Sequence, residues 1–90
     1  MQHEDEATQV TRATEFLSAH GIPATAREFR LRQEFFRYGW DVRVREENAG
    51  WTVHAVKPDR DEVLVNGSTE GNALRLAIAA AIHADDASGT

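Results

Sequence analysis

Apolar and polar side chains alternate between residues 40 and 66, and this alternation predicts three short β-strands. The strands are expected at residues 40–45, 51–57 and 62–66, with turn-forming residues at 48–50 and 58–61. Because both turns are short, an antiparallel meander is the expected arrangement. The side chains expected to face the core are Trp40, Val42 and Val44 in the first strand, Trp51, Val53 and Ala55 in the second, and Val63 and Val65 in the third.

Helical periodicity predicts three helices around these strands. The first should run from about Glu6 to Ala19, before the stop signal at residues 20–21. The second should start at Thr25, the first residue of a capping-box spacing, and end near Tyr38. The third follows the last strand and reaches about residue 83. The apolar stripes expected to be buried are Val10, Ala13, Phe16 and Leu17 in the first helix and Leu74, Ala77, Ile78, Ala81 and Ile82 in the third.

The second predicted helix has apolar residues on two opposite sides. Two apolar sides imply two covered surfaces, which we expect to be the sheet and the first helix, or else a partner molecule. A homodimer formed through the second side is one such arrangement, and Phe35→Glu should then disrupt it. One side carries Ala26, Phe29 and Phe36, and the other carries Leu31, Phe35 and Tyr38.

The element order α-α-β-β-β-α predicts an α+β fold with a three-stranded antiparallel sheet. We expect the third helix and the arginine-bearing second helix to pack on the sheet, with the first helix outside them. Three amphipathic helices suffice to cover much of both sheet faces. The 90 residues should form a single domain with frayed ends at 1–5 and 86–90.

Composition narrows the function classes. The chain has no cysteine, and its first residues are acidic where a signal peptide would be basic and then apolar, so a cytoplasmic protein is expected. Metal-capable side chains occur at His83, Asp85 and Asp86 and at residues 3–5, but neither spacing is a recognised ligand motif. We therefore expect no metal and no cofactor, and no membrane association.

The net charge of -5 is unevenly distributed. Residues 27–45 contain six arginines and three acidic residues, whereas both flanking segments are acidic. The arginines favour either an anion-binding patch or a solvated surface, and the negative net charge makes an acidic protein a better partner than a nucleic acid. The residues predicted to bind a protein partner are Arg27, Arg30, Arg37, Arg43 and Arg45, together with Asp59, Asp61 and Glu62 of the acidic turn.

His54 is the strongest catalytic candidate. A histidine in the middle of a strand can act as a general base, although the sequence places no second catalytic group beside it. The layout resembles HicA-type toxin ribonucleases, which carry a histidine on the second strand, but their Gly-Ser-His context is absent here. An RNase-like activity at His54 is therefore an alternative to protein binding.

The order helix, three strands, helix is similar to that of double-stranded RNA-binding domains, so a related topology is expected. Those domains use lysines at the start of the last helix to reach phosphates. This chain has Ser68-Thr69-Glu70-Gly71-Asn72 there, with an acid and no base. The departure argues against RNA binding by that mode.

Two further resemblances favour a noncatalytic role. Residues 44–73, with Gly50-Trp51 in a turn and Gly67-Ser68-Thr69-Glu70 before an alanine-rich helix, are similar to HicB-type antitoxins, which bind and mask a small toxin. The segment Asn72-Ala73-Leu74-Arg75-Leu76-Ala77 resembles the last helix of phage ABA-sandwich proteins. Together they imply a small phage or mobile-element protein that inhibits or neutralises a protein partner, as antitoxins and anti-CRISPR proteins do.

Overall fold

The computed structural model describes residues 5–88 and confirms the α+β class and the predicted order of elements. The sheet is an antiparallel meander in the order β1-β2-β3. Loops of a few residues join its strands, as the turn signals predicted. The elements are α1 (Glu6–Ala19), α2 (Glu28–Arg37), β1 (Asp41–Glu47), β2 (Gly50–Val56), β3 (Val63–Gly67) and α3 (Glu70–Ser88).

The register of the sheet separates an inner from an outer face. On the inner face Val44 pairs with Val53, which pairs with Val65. On the outer face Arg43 lies opposite His54. The alternation predicted from the sequence is therefore confirmed, since Val53 is fully buried while Arg43 is exposed.

All three helices lie on the inner face of the sheet. α3 packs against β2 and β3, and both α1 and α2 pack against α3, with a smaller contact between α2 and β1. The expectation that helices would cover much of both faces is wrong. The outer face carries mainly charged and polar side chains, which lose hydration if they are covered without partners.

α1 has the predicted bounds. Asp5 caps it by accepting a hydrogen bond from the Thr8 amide at 2.8 Å, and these side-chain and backbone hydrogen bonds from Thr8 lower the pKa of Asp5. Ala13 and Leu17 are buried against the rest of the core. The helix ends at His20, and Gly21 follows with a φ of 84°.

α2 begins three residues later than predicted. Thr25 lies in a turn that is closed by a hydrogen bond from the Ala26 amide to the Pro23 carbonyl, and Arg27 occupies the N-cap without a side-chain hydrogen bond. The predicted capping box is therefore absent. Leu31 and Phe35 provide the buried side of the helix.

α3 continues to Ser88, beyond the point where a frayed tail was predicted. Thr69 starts it by accepting a hydrogen bond from the Asn72 amide at 3.1 Å, as expected for a capping residue. Near the other end of the helix, Asp85 accepts hydrogen bonds from several side chains, and the polar residues there remain helical. The rest of the predicted frayed ends, at residues 1–4 and 89–90, lies outside the described residues.

Within residues 5–88 the longest helix is α3, and no helix combines the length and apolar character required to span a bilayer.

Candidate functional site

The side of α2 that points away from the core exposes two aromatic rings. Phe29 is 74% and Phe36 is 70% exposed, whereas Phe35 is fully buried. Seven residues along a helix correspond to a separation of about 10 Å and nearly the same angular position. We call the surface formed by Phe29, Arg32, Gln33 and Phe36 the aromatic face.

The structure therefore leaves Phe29 and Phe36 uncovered, whereas Ala26, predicted on the same apolar side, precedes the helix and is buried. Leu31 and Phe35 meet α3 and the core, and no element of residues 5–88 covers Phe29 and Phe36. Phe35→Glu would place a charge in the core and is unsuitable as a test of dimer formation. The residue with an equivalent, exposed ring is Phe36.

Arginines surround the aromatic face. Arg30 Nε donates to Glu34 Oε2 at 2.9 Å, and Arg37 Nη1 lies 3.7 Å from the other oxygen of the same carboxylate. Glu34 is only 4% exposed, and its Oε1 accepts no hydrogen bond from the residues that the structure describes. Arg32 pairs with Glu70 at the start of α3. Three guanidinium groups therefore lie beside the two exposed rings, and two carboxylates neutralise them in part.

The predicted arginine patch is divided between two surfaces. Arg30 and Arg37 belong to α2 and Arg27 caps it, on the helical side of the sheet. Arg43 and Arg45 extend from the outer face of β1. Among residues 5–88, no acceptor or ion-pair partner contacts the side chains of Arg43 and Arg45. These two arginines are therefore available to an anionic group from another molecule.

The outer sheet face also holds His54. Its Nε2 lies 2.8 Å from Glu62 Oε2, Arg43 faces it from β1, and Leu64 faces it from β3. Beside this row, Thr52 Oγ1 donates to Asn66 Oδ1 at 2.8 Å. These groups line an open depression of about 590 Å³. The structure thus supplies the neighbouring carboxylate that the sequence did not place beside His54.

The acidic turn does not act as one cluster. Glu62 contacts His54, whereas Asp59 and Asp61 lie exposed beside the end of α3. Arg60, between them, donates to Asp85 at 3.1 Å. The acidic side chains of the turn therefore point in two directions, toward the outer face of the sheet and toward the end of α3.

Asp85 forms a hydrogen-bond network that the sequence did not predict. It accepts hydrogen bonds from Trp40 Nε1 at 3.2 Å, Lys57 Nζ at 3.0 Å and Arg60 Nε at 3.1 Å. Burial alone would raise the pKa of Asp85, but these hydrogen bonds outweigh it and the pKa is lowered. Asp85 thereby joins the end of α3 to the residue before β1 and to the connection between β2 and β3.

The metal-capable side chains near the end of the chain do not converge. His83 stacks on Phe16 with 4.1 Å between ring centroids, and Asp86 lies 3.6 Å from His20. Between residues 5 and 88, no three histidine or acidic side chains are grouped so that they could hold a metal ion. His3 and Glu4 lie outside the described residues.

A second contact missed from the sequence joins α1 to the corner between β3 and α3. Glu6 accepts a hydrogen bond from Ser68 Oγ at 2.6 Å and one from Asn72 Nδ2 at 2.7 Å. The side-chain bonds from Ser68 and then Asn72, together with the Ser68 amide, lower the pKa of Glu6. No local spacing could have indicated a contact across more than sixty residues.

No protein-family model, curated protein or solved structure matches this chain.

Proposed function

We propose that this protein is a small noncatalytic module that binds another protein through the aromatic face of α2. The observation that supports it is the exposure of Phe29 and Phe36, at 74% and 70%, on a chain whose other phenylalanines are buried or partly buried. Large apolar side chains at the centre of an interface supply much of its binding free energy. Two of them at helical spacing fit the helix-in-groove mode of recognition.

The charge around the rings supports a partner with an acidic rim. Arg30, Arg32 and Arg37 border the aromatic face, and the last of them is 70% exposed at its side chain. An apolar groove edged by carboxylates would receive the rings and pair with these guanidinium groups. Anionic lipid is the less suitable ligand, because the chain carries a net charge of -5.

The proposal extends to inhibition. In this proposal the protein belongs to a phage or mobile element, resides in the cytoplasm and neutralises its partner by occupying a groove the partner needs. The resemblances to HicB-type antitoxins and phage ABA-sandwich proteins support this extension. The proposal that the chain binds a protein, without the extension to inhibition, is supported by the aromatic face alone.

The test is affinity purification from the native host at moderate salt, with the tagged wild-type protein and the Phe29→Ala/Phe36→Ala variant side by side. A partner that co-elutes stoichiometrically with the wild type should be reduced by about thirtyfold in apparent affinity with the variant, the usual effect of losing an interface anchor. Leu64→Ala is the matched control, because Leu64 is 63% exposed on the outer sheet face.

Three results would contradict the proposal. In the first, no protein co-elutes stoichiometrically with the wild type. In the second, the wild type and the double variant capture the partner equally, and in the third, Leu64→Ala loses the partner as much as the double variant does. Sedimentation of the purified protein at micromolar concentration separates self-association from binding to a different protein. A dimer broken by Phe36→Glu would assign the aromatic face to a second copy of the chain.

A second candidate function, RNase-like chemistry at His54, is favoured by one contact. Glu62 lies 2.8 Å from His54 Nε2 and can orient the imidazole, while Arg43 opposite it can face a phosphate. Cleavage of RNA by the purified protein, abolished by His54→Ala and strongly reduced by Glu62→Gln, would support it. Unchanged cleavage with His54→Ala, or no cleavage by the wild type, would exclude this role.

A further inference from the structure

β1 is an edge strand of the sheet with an unused side. It pairs with β2 alone, and across residues 5–88 no other hydrogen bond involves the backbone of Asp41–Glu47. In an antiparallel ladder, alternate residues direct their N–H and C=O groups away from the neighbouring strand. Such an edge can template a further strand from another molecule.

The same strand carries the two unpaired arginines. Arg43 and Arg45 alternate with Val42 and Val44, so both extend from the outer face, about 7 Å apart along the strand. A strand added beside β1 would bring its own outer side chains within about 5 Å of theirs. Carboxylates at those positions would satisfy both guanidinium groups.

We propose that the free edge of β1 receives an extended acidic segment of a protein partner as a fourth strand, with its carboxylates opposite Arg43 and Arg45. This inference rests on the proposed protein-binding function and adds a second contact surface to it. α2, which carries the aromatic face, also contacts β1. The other edge strand, β3, is shorter and presents Leu64 and Asn66 on the outer face, so it lacks the charges for this recognition.

A second copy of the chain is a poor occupant. Antiparallel pairing of β1 with itself must keep outer residues opposite outer residues. In the one register that pairs all seven residues, Arg43 lies opposite Arg45 and Asp41 lies opposite Glu47, so every pair on the outer face is like-charged. Two shifted registers pair only five residues and combine one arginine–arginine pair with two arginine–carboxylate pairs. Like charges directly opposite each other destabilise a sheet, so pairing along the whole strand favours a segment with carboxylates opposite Arg43 and Arg45 over a second copy.

The probe for the test is the synthetic peptide Thr-Val-Glu-Val-Glu-Val-Thr, blocked at both ends and equal in length to β1, which places glutamate opposite Arg43 and Arg45 and threonine opposite Asp41 and Glu47. Titration into the full-length ¹⁵N-labelled protein should shift the amide resonances of β1 and slow their hydrogen exchange. Arg43→Glu/Arg45→Glu should weaken binding by about tenfold, the combined effect of two exposed ion pairs. Arg12→Glu/Arg27→Glu, which makes the same change in charge at two exposed positions away from β1, should leave binding unchanged.

Two further peptides separate strand pairing from charge attraction alone. A version that is N-methylated at every residue cannot donate backbone hydrogen bonds to the edge, and a version with lysine in place of glutamate has the wrong charge; neither should bind. Equal binding by either peptide, no binding at millimolar concentration, or shifts confined to α2 or β3 would overturn the inference. If the glutamate variant does not fold, Arg43→Gln/Arg45→Gln replaces it.

Failure here is distinguishable from failure of the proposed function. If a native partner depends on Phe29 and Phe36 but the probe does not bind, protein binding stands and the strand-addition inference is wrong. If the probe binds while no partner depends on the aromatic rings, the edge is a binding site and the role of the aromatic face is wrong.

Discussion

The indole Nε1 of Trp40 donates a hydrogen bond to Asp85 Oδ2 at 3.2 Å, which ties the residue before β1 to the far end of α3. Trp40 is 1% exposed, so this bond satisfies the only polar atom of a buried ring. Lys57 joins the same carboxylate and also donates to the Tyr38 carbonyl at 2.7 Å. Asp85 therefore joins the end of α3 to Trp40 directly and, through Lys57, to the end of α2.

Asp85→Asn should destabilise the protein by about 1–3 kcal/mol, because it weakens charge-assisted hydrogen bonds that are largely shielded from water. Denaturant unfolding at pH 7 measures the change. Asp86→Asn is the control, since Asp86 is 62% exposed at its side chain. Equal losses with both variants would contradict the role assigned to Asp85.

The lowered pKa of Asp85 also predicts a dependence on pH. A carboxyl whose pKa is lower in the folded state contributes stability above its unfolded value, which is 3.8, and that contribution is lost as the pH falls below it. The wild type should therefore lose part of its thermal stability between about pH 5 and pH 2, and Asp85→Asn should lose less. Parallel melting curves from the two proteins over this range would refute the prediction.

Glu6→Gln tests the contact between α1 and the corner before α3. The glutamine keeps the size of the side chain but replaces one acceptor oxygen with a donor, so we expect a loss of at most about 1 kcal/mol at this partly exposed site. Glu15→Gln, on the exposed side of the same helix, should change the free energy of unfolding little. A greater loss with Glu15→Gln would show that helix charge, and not the corner, is responsible.

The three phenylalanines of α2 should respond differently to truncation. Phe35→Ala removes a fully buried ring and should cost about 3–5 kcal/mol. Phe29→Ala and Phe36→Ala should each change the stability by less than about 0.5 kcal/mol, since their rings already contact solvent. Thermal unfolding of the three variants tests the assignment, and a large loss with Phe36→Ala would mean that its ring is covered.

Gly67 and Gly71 provide a matched pair of glycine-to-alanine changes. A Cβ at Gly67 would lie 2.7 Å from the Ala73 amide nitrogen and 2.9 Å from its Cα, so β3 and α3 would have to separate, at a cost of about 1–3 kcal/mol. A Cβ at Gly71 would meet only the ends of the Arg75 and Glu28 side chains, and alanine favours a helix. Gly71→Ala should be neutral or stabilising in denaturant unfolding, and similar losses at both positions would contradict this account.

The local pattern of apolar and polar residues was sufficient to predict the three strands, their inner and outer faces and the bounds of α1. The reason is that alternation and helical periodicity record which side of each element is buried, whichever neighbour buries it. Val53, Ala55 and Leu17 are buried as predicted for this reason. The start of α2 was mistaken because a turn at Pro23 competed with the capping box at Thr25.

The periodicity of α2 indicated two apolar sides but could not predict which side would remain exposed to solvent. That choice depended on where α3 lies across the sheet, since α3 buries Leu31 and Phe35 and leaves Phe29 and Phe36 to solvent. Glu62 meets His54 across the connection between β2 and β3, but the partners of Asp85 and Glu6 come from distant positions in the chain. Contacts of that kind follow from the packing of whole elements, and a single sequence records the elements without recording how they are placed against one another.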